Sequence, residues 1–404
     1  MIAWGLLLLS IFAIAALFVG YPAFLWLYRK QHPDAANPIP APLDDEQLPS
    51  LSVLVAVRNG EHLIQQKVDN ALALDYPADK LDVVVVSDGS DDRTMEILNA
   101  IEHPALTAMA LPAHLGKHEA LNTGMPHCKG DIVLFTDADA MLEPGAARQL
   151  AKHFSDEKVG GVGGQRLIGE SGHAGAASSG AGTAQLQSAQ STYIDADSKL
   201  KILESRLGSV TSNDGKIYAI RRSLFQGVAA AVTDDLYTCL TILAQGYVFR
   251  FEPTAKAWIK TPSRGSSHEV SRRRRIVNRS LRGIWLNRRV LNPACTSWQI
   301  AVGLFINKVM RRMLPWFLVI LLLSSLALIA QCSWMLLLLL PQLGIYGAAL
   351  VQWLAADRVP SLGPLNKLLS VCFYFAVGNI GTALGGIDFL KGHQPVRWDP
   401  KKSG

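Results

Sequence analysis

Charge is absent from long stretches of this sequence, and the absence sets the first limits. No charged residue lies between Ile2 and Tyr28, between Met313 and Ala356, or between Leu368 and Ile387. A helix rises about 1.5 Å per residue and about 20 apolar residues cross a hydrocarbon core, so a wholly soluble chain is excluded. The stretch from Met313 is too long for one helix and breaks naturally near Gln331-Cys332-Ser333, so four spans are expected in all. Gly378, Gly381, Gly385 and Gly386 in the last of them suit a membrane helix better than a soluble one. The first stretch has no basic residue before its apolar run, which argues against a cleaved signal peptide. Arg29, Lys30 and His32 follow it, so the positive-inside rule puts its C-terminal end, and the segment between the spans, in the cytosol. The side of the C-terminus stays open: four spans return it outside, whereas Lys391, Arg397, Lys401 and Lys402 favour the cytosol.

Cysteine is scarce as well. Cys128, Cys239, Cys295, Cys332 and Cys372 form no C-x-x-C pair and no histidine spacing, which excludes a zinc knuckle or a disulfide framework as the organising feature. No repeat of fixed period occurs. What the chain has instead is a net charge of +6 and a run at Arg272-Arg273-Arg274-Arg275. Such a run suits nucleic acid, anionic lipid or a diphosphate. It borders membrane-seeking sequence and lacks an aromatic-rich basic face, so nucleic acid is set aside as a partner.

A Pro-rich connector from Pro33 to Pro49 leads into an alternating segment. Leu51 to Val57, Leu81 to Ser87 and Asp131 to Phe135 read as buried parallel strands, with helical stretches near Glu61 to Leu74, Asp91 to Ile101 and Lys117 to Met125. Alternation of this kind predicts an α/β fold with a doubly wound, mostly parallel sheet, in which ligands bind at the carboxyl ends of the strands. Gly169 to Gly182, rich in small residues, reads as a loop. The expected organisation is a span over 1–30, a linker over 31–49 and a catalytic domain over 50–265. Arginine-rich interfacial helices over 266–312, spans over 313–390 and a tail over 391–404 complete it.

Polar residues end each predicted strand. The first runs into Arg58-Asn59-Gly60-Glu61, the second into Ser87-Asp88-Gly89-Ser90 and the third into Thr136-Asp137-Ala138-Asp139. Two carboxylates spaced by one residue in extended chain point to the same side. They suit a hard divalent cation such as magnesium, which binds through one or two carboxylates plus substrate phosphates.

These motifs, in this order, resemble the family 2 glycosyltransferases, and in particular the membrane-integrated branch that includes cellulose, chitin and hyaluronan synthases. The resemblance rests on V-A-V-R-N-G-E at Val55 to Glu61, S-D-G-S at Ser87 to Ser90, G-K-H-E-A-L-N at Gly116 to Asn122 and T-D-A-D at Thr136 to Asp139. It continues with N-D-G-K-I-Y-A-I-R-R at Asn213 to Arg222, T-D-D at Thr233 to Asp235 and the arginine cluster. It implies a GT-A type catalytic domain and inverting transfer from a nucleotide-sugar donor with Mg2+ or Mn2+, with uridine diphosphate the first choice of leaving group and guanosine diphosphate the alternative. By the same resemblance Val57, Asn59, Glu61, Asp88, Lys117, Asn122 and Asp137 belong to the donor pocket, and Asp139 with Asp137 holds the metal. Asp235 is the implied base that takes the acceptor proton, with Asp234 in place of the family's usual glutamate beside it. Asp234 and Asp235 also suit the first turn of a helix, where carboxylates are favoured.

The arginine cluster departs from the synthase pattern. Where those enzymes carry Q-x-x-R-W, this chain reads Ser271-Arg272-Arg273-Arg274-Arg275-Ile276, without the glutamine or the tryptophan. Arg272 and Arg275 remain candidates for the diphosphate, and the alternative is a patch that meets anionic headgroups. The implied activity is transfer to a glycan or lipid acceptor at the membrane face, in the making of a cell-surface or extracellular glycan. The expected setting is a bacterial inner membrane with the catalytic domain in the cytosol, and the reading leaves room for an export or co-synthase partner. Single transfer to a lipid such as polyprenyl phosphate or a ceramide-like acceptor is the second reading. A non-catalytic nucleotide-sugar-binding partner of a synthase is the third, against which the co-occurrence of Asp88, Asp137, Asp139 and Asp235 argues.

Overall fold

The computed structural model describes residues 1–31, 40–169, 181–259, 266–355 and 364–394. Most of the predicted Gly169 to Gly182 loop, most of the Pro-rich connector and most of the C-terminal tail lie outside them.

Three apolar, β-branched runs form the parallel heart of the sheet: β1 (Leu51–Val57), β2 (Leu81–Ser87) and β4 (Ile132–Asp137), with β3 (Leu106–Ala110) beside β2. Helices α2 (Ile64–Leu72), α3 (Thr94–Asn99) and α4 (Lys117–Gly124) connect them. The remaining strands are β5 (Ala140–Leu142), β6 (Val159–Ile168), β7 (Tyr218–Arg221) and β8 (Val248–Ile259), and the order across the sheet is β3-β2-β1-β4-β7-β6-β8-β5. β7 runs antiparallel to both β4 and β6, and β5 antiparallel to β8. The fold is therefore the expected mostly parallel α/β sheet with an antiparallel half added.

Alternate residues of β1 serve opposite faces, which is why the strand is apolar throughout. Leu51, Val53 and Val55 join a core with α2 and with α5 (Ala146–Ala151). Leu54 and Ala56 join a second core with α4 and with α7 (Asp234–Ala244). The chain leaves β1 toward β2 on one side and returns to β4 on the other, so the carboxyl ends of β1 and β4 flank a switch point.

Among the described residues, four helices are long and apolar enough to cross a membrane, by length and composition. They are α1 (Ile2–Gln31), α9 (Trp298–Leu328), α10 (Leu336–Ala355) and α11 (Pro364–Leu390). The expected boundary at residue 313 falls inside α9. Trp4 lies 5.9 Å from Trp334 at one end of α1, and Tyr21 meets α9 at the other. There the buried Glu204 of α6 (Ala181–Leu207) accepts hydrogen bonds from Tyr21 Oη (2.8 Å), Asn307 Nδ2 (3.2 Å) and the Thr211 amide (3.2 Å). A buried carboxylate is tolerated only when satisfied in this way, so the network fixes the sheet domain against α1 and α9.

The arginine-rich helix α8 (Ser266–Leu286) lies against α11. Arg274 pairs with Asp388, and Arg273 donates to Tyr374 Oη at 2.6 Å. The backbones come close at Gly385, where an added Cβ meets Arg274 O at 2.5 Å and Val277 Cβ at 2.9 Å. Gly385→Leu is expected to cost about 1–3 kcal/mol by overpacking and to lower the thermal midpoint in detergent. Gly386→Leu is the matched control, since a Cβ there meets nothing within 4 Å. Equal midpoints for the two variants contradict the close packing.

Candidate active site

The carboxyl ends of β1, β2 and β4 gather the predicted residues along one rim. Val57 ends β1, and its carbonyl accepts the Asp88 amide at 2.8 Å. Asn59, at φ +47°, accepts from the Asp91 amide (3.1 Å), and its own amide donates to Ser90 Oγ (3.0 Å). Glu61 accepts from the Arg93 amide at 3.2 Å, so the first two loops are laced together. Arg58 donates to the carbonyls of Asp88 and Gly89 at 3.0 and 2.7 Å, which fixes the second loop from the first.

Asp88 is 2% exposed and accepts from the amides of Leu115 (2.8 Å) and Gly116 (2.9 Å). Its carboxylate therefore holds the loop that opens α4. Gly89 is required beneath that loop: it sits at φ +57°, and a Cβ there meets the Ala113 carbonyl carbon at 2.3 Å. Asn122, one helix length further on, is bonded through both side-chain atoms to the backbone of Val228 (3.0 and 2.7 Å).

The charged centre lies at the end of β4. Lys117 Nζ donates to Asp137 Oδ1 (2.6 Å) and to Asp234 Oδ2 (2.8 Å), so one ammonium joins the D-x-D turn to the start of α7. Burial opposes the Lys117 charge, but Asp137 and Asp234 outweigh it and hold the amine well above its usual range. Lys216 Nζ bridges Asp137 Oδ2 (2.8 Å) and Asp139 Oδ1 (2.7 Å). Burial raises the Asp137 pKa, yet Lys117 and Lys216 reverse that and keep it far below the carboxylate norm. Beneath the turn, the fully buried Lys67 donates to Thr136 Oγ1 (3.0 Å) and to the Ala140 carbonyl. Burial lowers the Lys67 pKa to about 7, against the raising effect of Asp137 and Asp139.

Asp235 faces the same centre from α7. Its Oδ1 accepts the Leu236 amide (2.7 Å) and its Oδ2 the Gly215 amide (3.1 Å). Burial and the neighbouring Asp234 push its pKa up to about 6.

The arginines divide into two groups. Arg272 is held by the buried Glu269 at 2.8 Å. Arg275 stands one turn further along α8, where burial and then the charges of Arg279 and Arg272 lower its pKa to about 10. Arg279, one helical turn on, is lowered by burial and raised by Asp234, and its charge acts on His118 of α4. Arg279 is thus within electrostatic reach of Asp234, and Arg275 neighbours it along α8.

The donor set fits a hard divalent ion. Asp137 and Asp139 converge on a single cationic point, now taken by the Lys216 ammonium, and the Asp139 side chain is 49% exposed, so the pair opens to solvent. Among the described residues no third carboxylate, histidine or cysteine completes a ligand set, so phosphate oxygens and water must fill the remaining positions of any such ion.

Lys67, Lys216, Gly215 and Arg279 were not singled out in the sequence. A signal existed for two of them. Arg279 stands four residues after Arg275, hence on the same helical face. Lys216 stands inside the Asn213 to Arg222 motif, and in the structure the antiparallel pairing Phe135↔Tyr218, continued by two residues, brings it opposite Asp137.

A family model described as glycosyltransferase like family 2 matches residues 49–278, more than half of the chain and all of the site residues just described except Arg279. The chain belongs to this family. Among curated family members it is 28% identical over 233 residues to the Bacillus subtilis protein named "Probable glycosyltransferase YdaM", covering 54% of this chain and 52% of that one. It is 26% identical over 224 residues to the poly-beta-1,6-N-acetyl-D-glucosamine synthase of Staphylococcus aureus (strain COL), covering 54% and 51%. The chain thus spans about half the length of the curated relatives it matches. Among solved structures, the mannosyltransferase PcManGT from Pyrobaculum calidifontis, in complex with GDP-Man and Mn2+, superposes with a TM-score of 0.67. That likeness has 24% identity, covers 95% of this chain and 99% of that one, and is one of fold. The GT-A architecture of this family 2 glycosyltransferase is thereby established.

Proposed function

We propose that this family 2 glycosyltransferase is a membrane-embedded, metal-dependent, inverting enzyme that transfers a sugar from a nucleotide-sugar to a glycan or lipid acceptor. The observation that carries the reading is the charged centre that joins Asp137, Asp139, Lys117, Asp234 and Asp235 at the ends of β4 and α7. A departing nucleoside diphosphate develops negative charge. Asp137 and Asp139 would hold Mg2+ or Mn2+ against it, and Arg279, near Asp234, with its neighbour Arg275 would add cationic charge toward the diphosphate. Asp235 is the base that takes the acceptor proton while the acceptor oxygen attacks the face opposite the leaving group, which inverts the anomeric centre. Asp88, Asn59, Glu61 and Val57 line the nucleoside end, with Asn122 and Asp88 fixing the loops around it. The Asp88 carboxylate, already bonded to the Leu115 and Gly116 amides, keeps acceptor capacity on Oδ2 for a nucleoside group.

The donor assigned first is a UDP-sugar, and the relative that makes poly-beta-1,6-N-acetyl-D-glucosamine supports a polysaccharide product. The solved mannosyltransferase carries GDP-Man, so GDP-Man belongs in the test. The four apolar helices and the basic residues Arg29 and Lys30 in the last turn of α1 support a bacterial inner membrane with the sheet domain in the cytosol. The missing glutamine and tryptophan beside Arg275 favour keeping single transfer to a lipid as the second reading. Sizing the product separates the two: the first reading expects high-mass glycan from donor alone, and the second expects product only with added lipid acceptor.

The pH profile follows from Asp235. A base must be deprotonated, and its pKa is pushed up to about 6, so kcat falls as pH drops through about 6. Asp234→Asn removes a neighbouring like charge and is expected to move this limb to lower pH. An unmoved limb removes Asp235 from the profile.

A further inference from the structure

The Lys216 ammonium stands between Asp137 and Asp139, 2.8 and 2.7 Å from their oxygens. Two carboxylates that close together repel each other unless a cation lies between them, and here the chain supplies its own. Lys117 cannot serve in its place, because it holds the other Asp137 oxygen and reaches across to Asp234. The Lys216 backbone is fixed independently of its ammonium. Thr136 Oγ1 donates to its carbonyl at 2.9 Å, and its amide donates to Asp214 Oδ1 at 3.2 Å. The side chain is therefore free to leave the pair while the loop stays in place.

We propose that Lys216 is the resident counter-cation of the Asp137–Asp139 pair, a positioning residue that keeps both carboxylates converged and makes capture of a divalent cation depend on the nucleoside diphosphate. The inference rests on the metal-dependent reading above. An ammonium and a divalent ion cannot share two carboxylates, since their mutual repulsion at hydrogen-bonding separation is larger than that of two unit charges. A bare divalent ion must displace Lys216 without compensation. A nucleoside diphosphate brings the negative charge that the displaced ammonium then meets, so the two bind better together than either does alone. Lys216 thereby guards the pair against metal that arrives without donor.

The test is a Mn2+ titration of the full-length, detergent-solubilised protein, read by electron paramagnetic resonance of free Mn2+, with and without UDP or GDP. The wild type is expected to bind Mn2+ weakly alone and at least about 10-fold tighter with the nucleotide. Lys216→Met is expected to bind Mn2+ alone at least about 10-fold tighter than the wild type and to gain less from the nucleotide. Lys216→Arg, which keeps the charge, is expected to stay close to the wild type, and it separates loss of charge from loss of packing. Asp139→Asn provides the control and is expected to abolish binding in every background. Equal or weaker Mn2+ binding by Lys216→Met, with the wild-type site intact, overturns the inference alone. No Mn2+ binding by any variant with either nucleotide overturns the metal-dependent reading as well, and donor-dependent nucleotide release then shows whether glycosyl transfer survives it.

Discussion

Asp235→Asn is expected to lower kcat by about 10²–10⁴-fold, the range for loss of a positioned general base. The substitution keeps the shape of the side chain, and an amide oxygen still accepts one of the bonds now made by the Leu236 and Gly215 amides. What it removes is the capacity to take a proton. Binding of nucleotide and Mn2+ should persist, as should elution as a folded species in detergent. Those controls separate a lost base from a lost fold. Wild-type turnover in this variant contradicts the assigned role and leaves Asp235 as a helix-start residue of α7 whose carboxylate only fastens the Gly215 backbone.

The second large effect is expected at Asp139. Of the two carboxylates around Lys216 it is the more exposed, at 49% against 26% for Asp137, so its side chain contributes least to the packing of the turn. Asp139→Asn should lower transfer by about 10²-fold or more, the scale of losing one charge-stabilising group at a leaving oxygen. It should leave the thermal midpoint near that of the wild type. Chelation of divalent cations should stop the wild-type enzyme to a similar extent, with recovery on adding Mg2+ or Mn2+. Activity that persists in chelator removes the metal from the scheme. Asp137→Asn is a poorer experiment, because Asp137 also anchors Lys117 and a loss there has two causes.

The parallel half of the sheet was legible because its strands are buried on both faces. Leu51–Val57 and Leu81–Ser87 have the expected bounds, and β4 extends the expected strand to Asp137, the first carboxylate of the motif. The antiparallel half was not legible. β6 opens Val159-Gly160-Gly161-Val162-Gly163-Gly164, a composition with low strand propensity. Its physical reason is close approach: a Cβ at Gly161 meets the Phe249 ring at 2.2 Å, so the strand gives up side chains to a neighbour 88 positions away. Nothing local announces that requirement.

The site divides along the same line. Asp88, Asp137 and Asp139 stand at or just beyond strand ends that could be read, whereas Asp234 and Asp235 open α7. Their cationic partners come from elsewhere in the chain: Lys216 from the antiparallel register of β7, Lys67 from the inward face of α2, and Arg279 from a helix that packs on α11. A charged side chain looks the same in sequence whether it is solvated or bridges two carboxylates. Asp88 shows the converse, since its place after β2 was evident while its bonds to the Leu115 and Gly116 amides depend on how a later loop returns.

The central claim, that the D-x-D turn and Asp235 form a working glycosyl-transfer centre, is tested most directly by incubating the purified, detergent-solubilised protein with Mn2+ and a panel of UDP- and GDP-sugars. The readout is released nucleoside diphosphate. The account predicts release with one donor, lost in both Asp139→Asn and Asp235→Asn. Release that is unchanged in both variants contradicts it, because the chemistry then lies outside the centre described here.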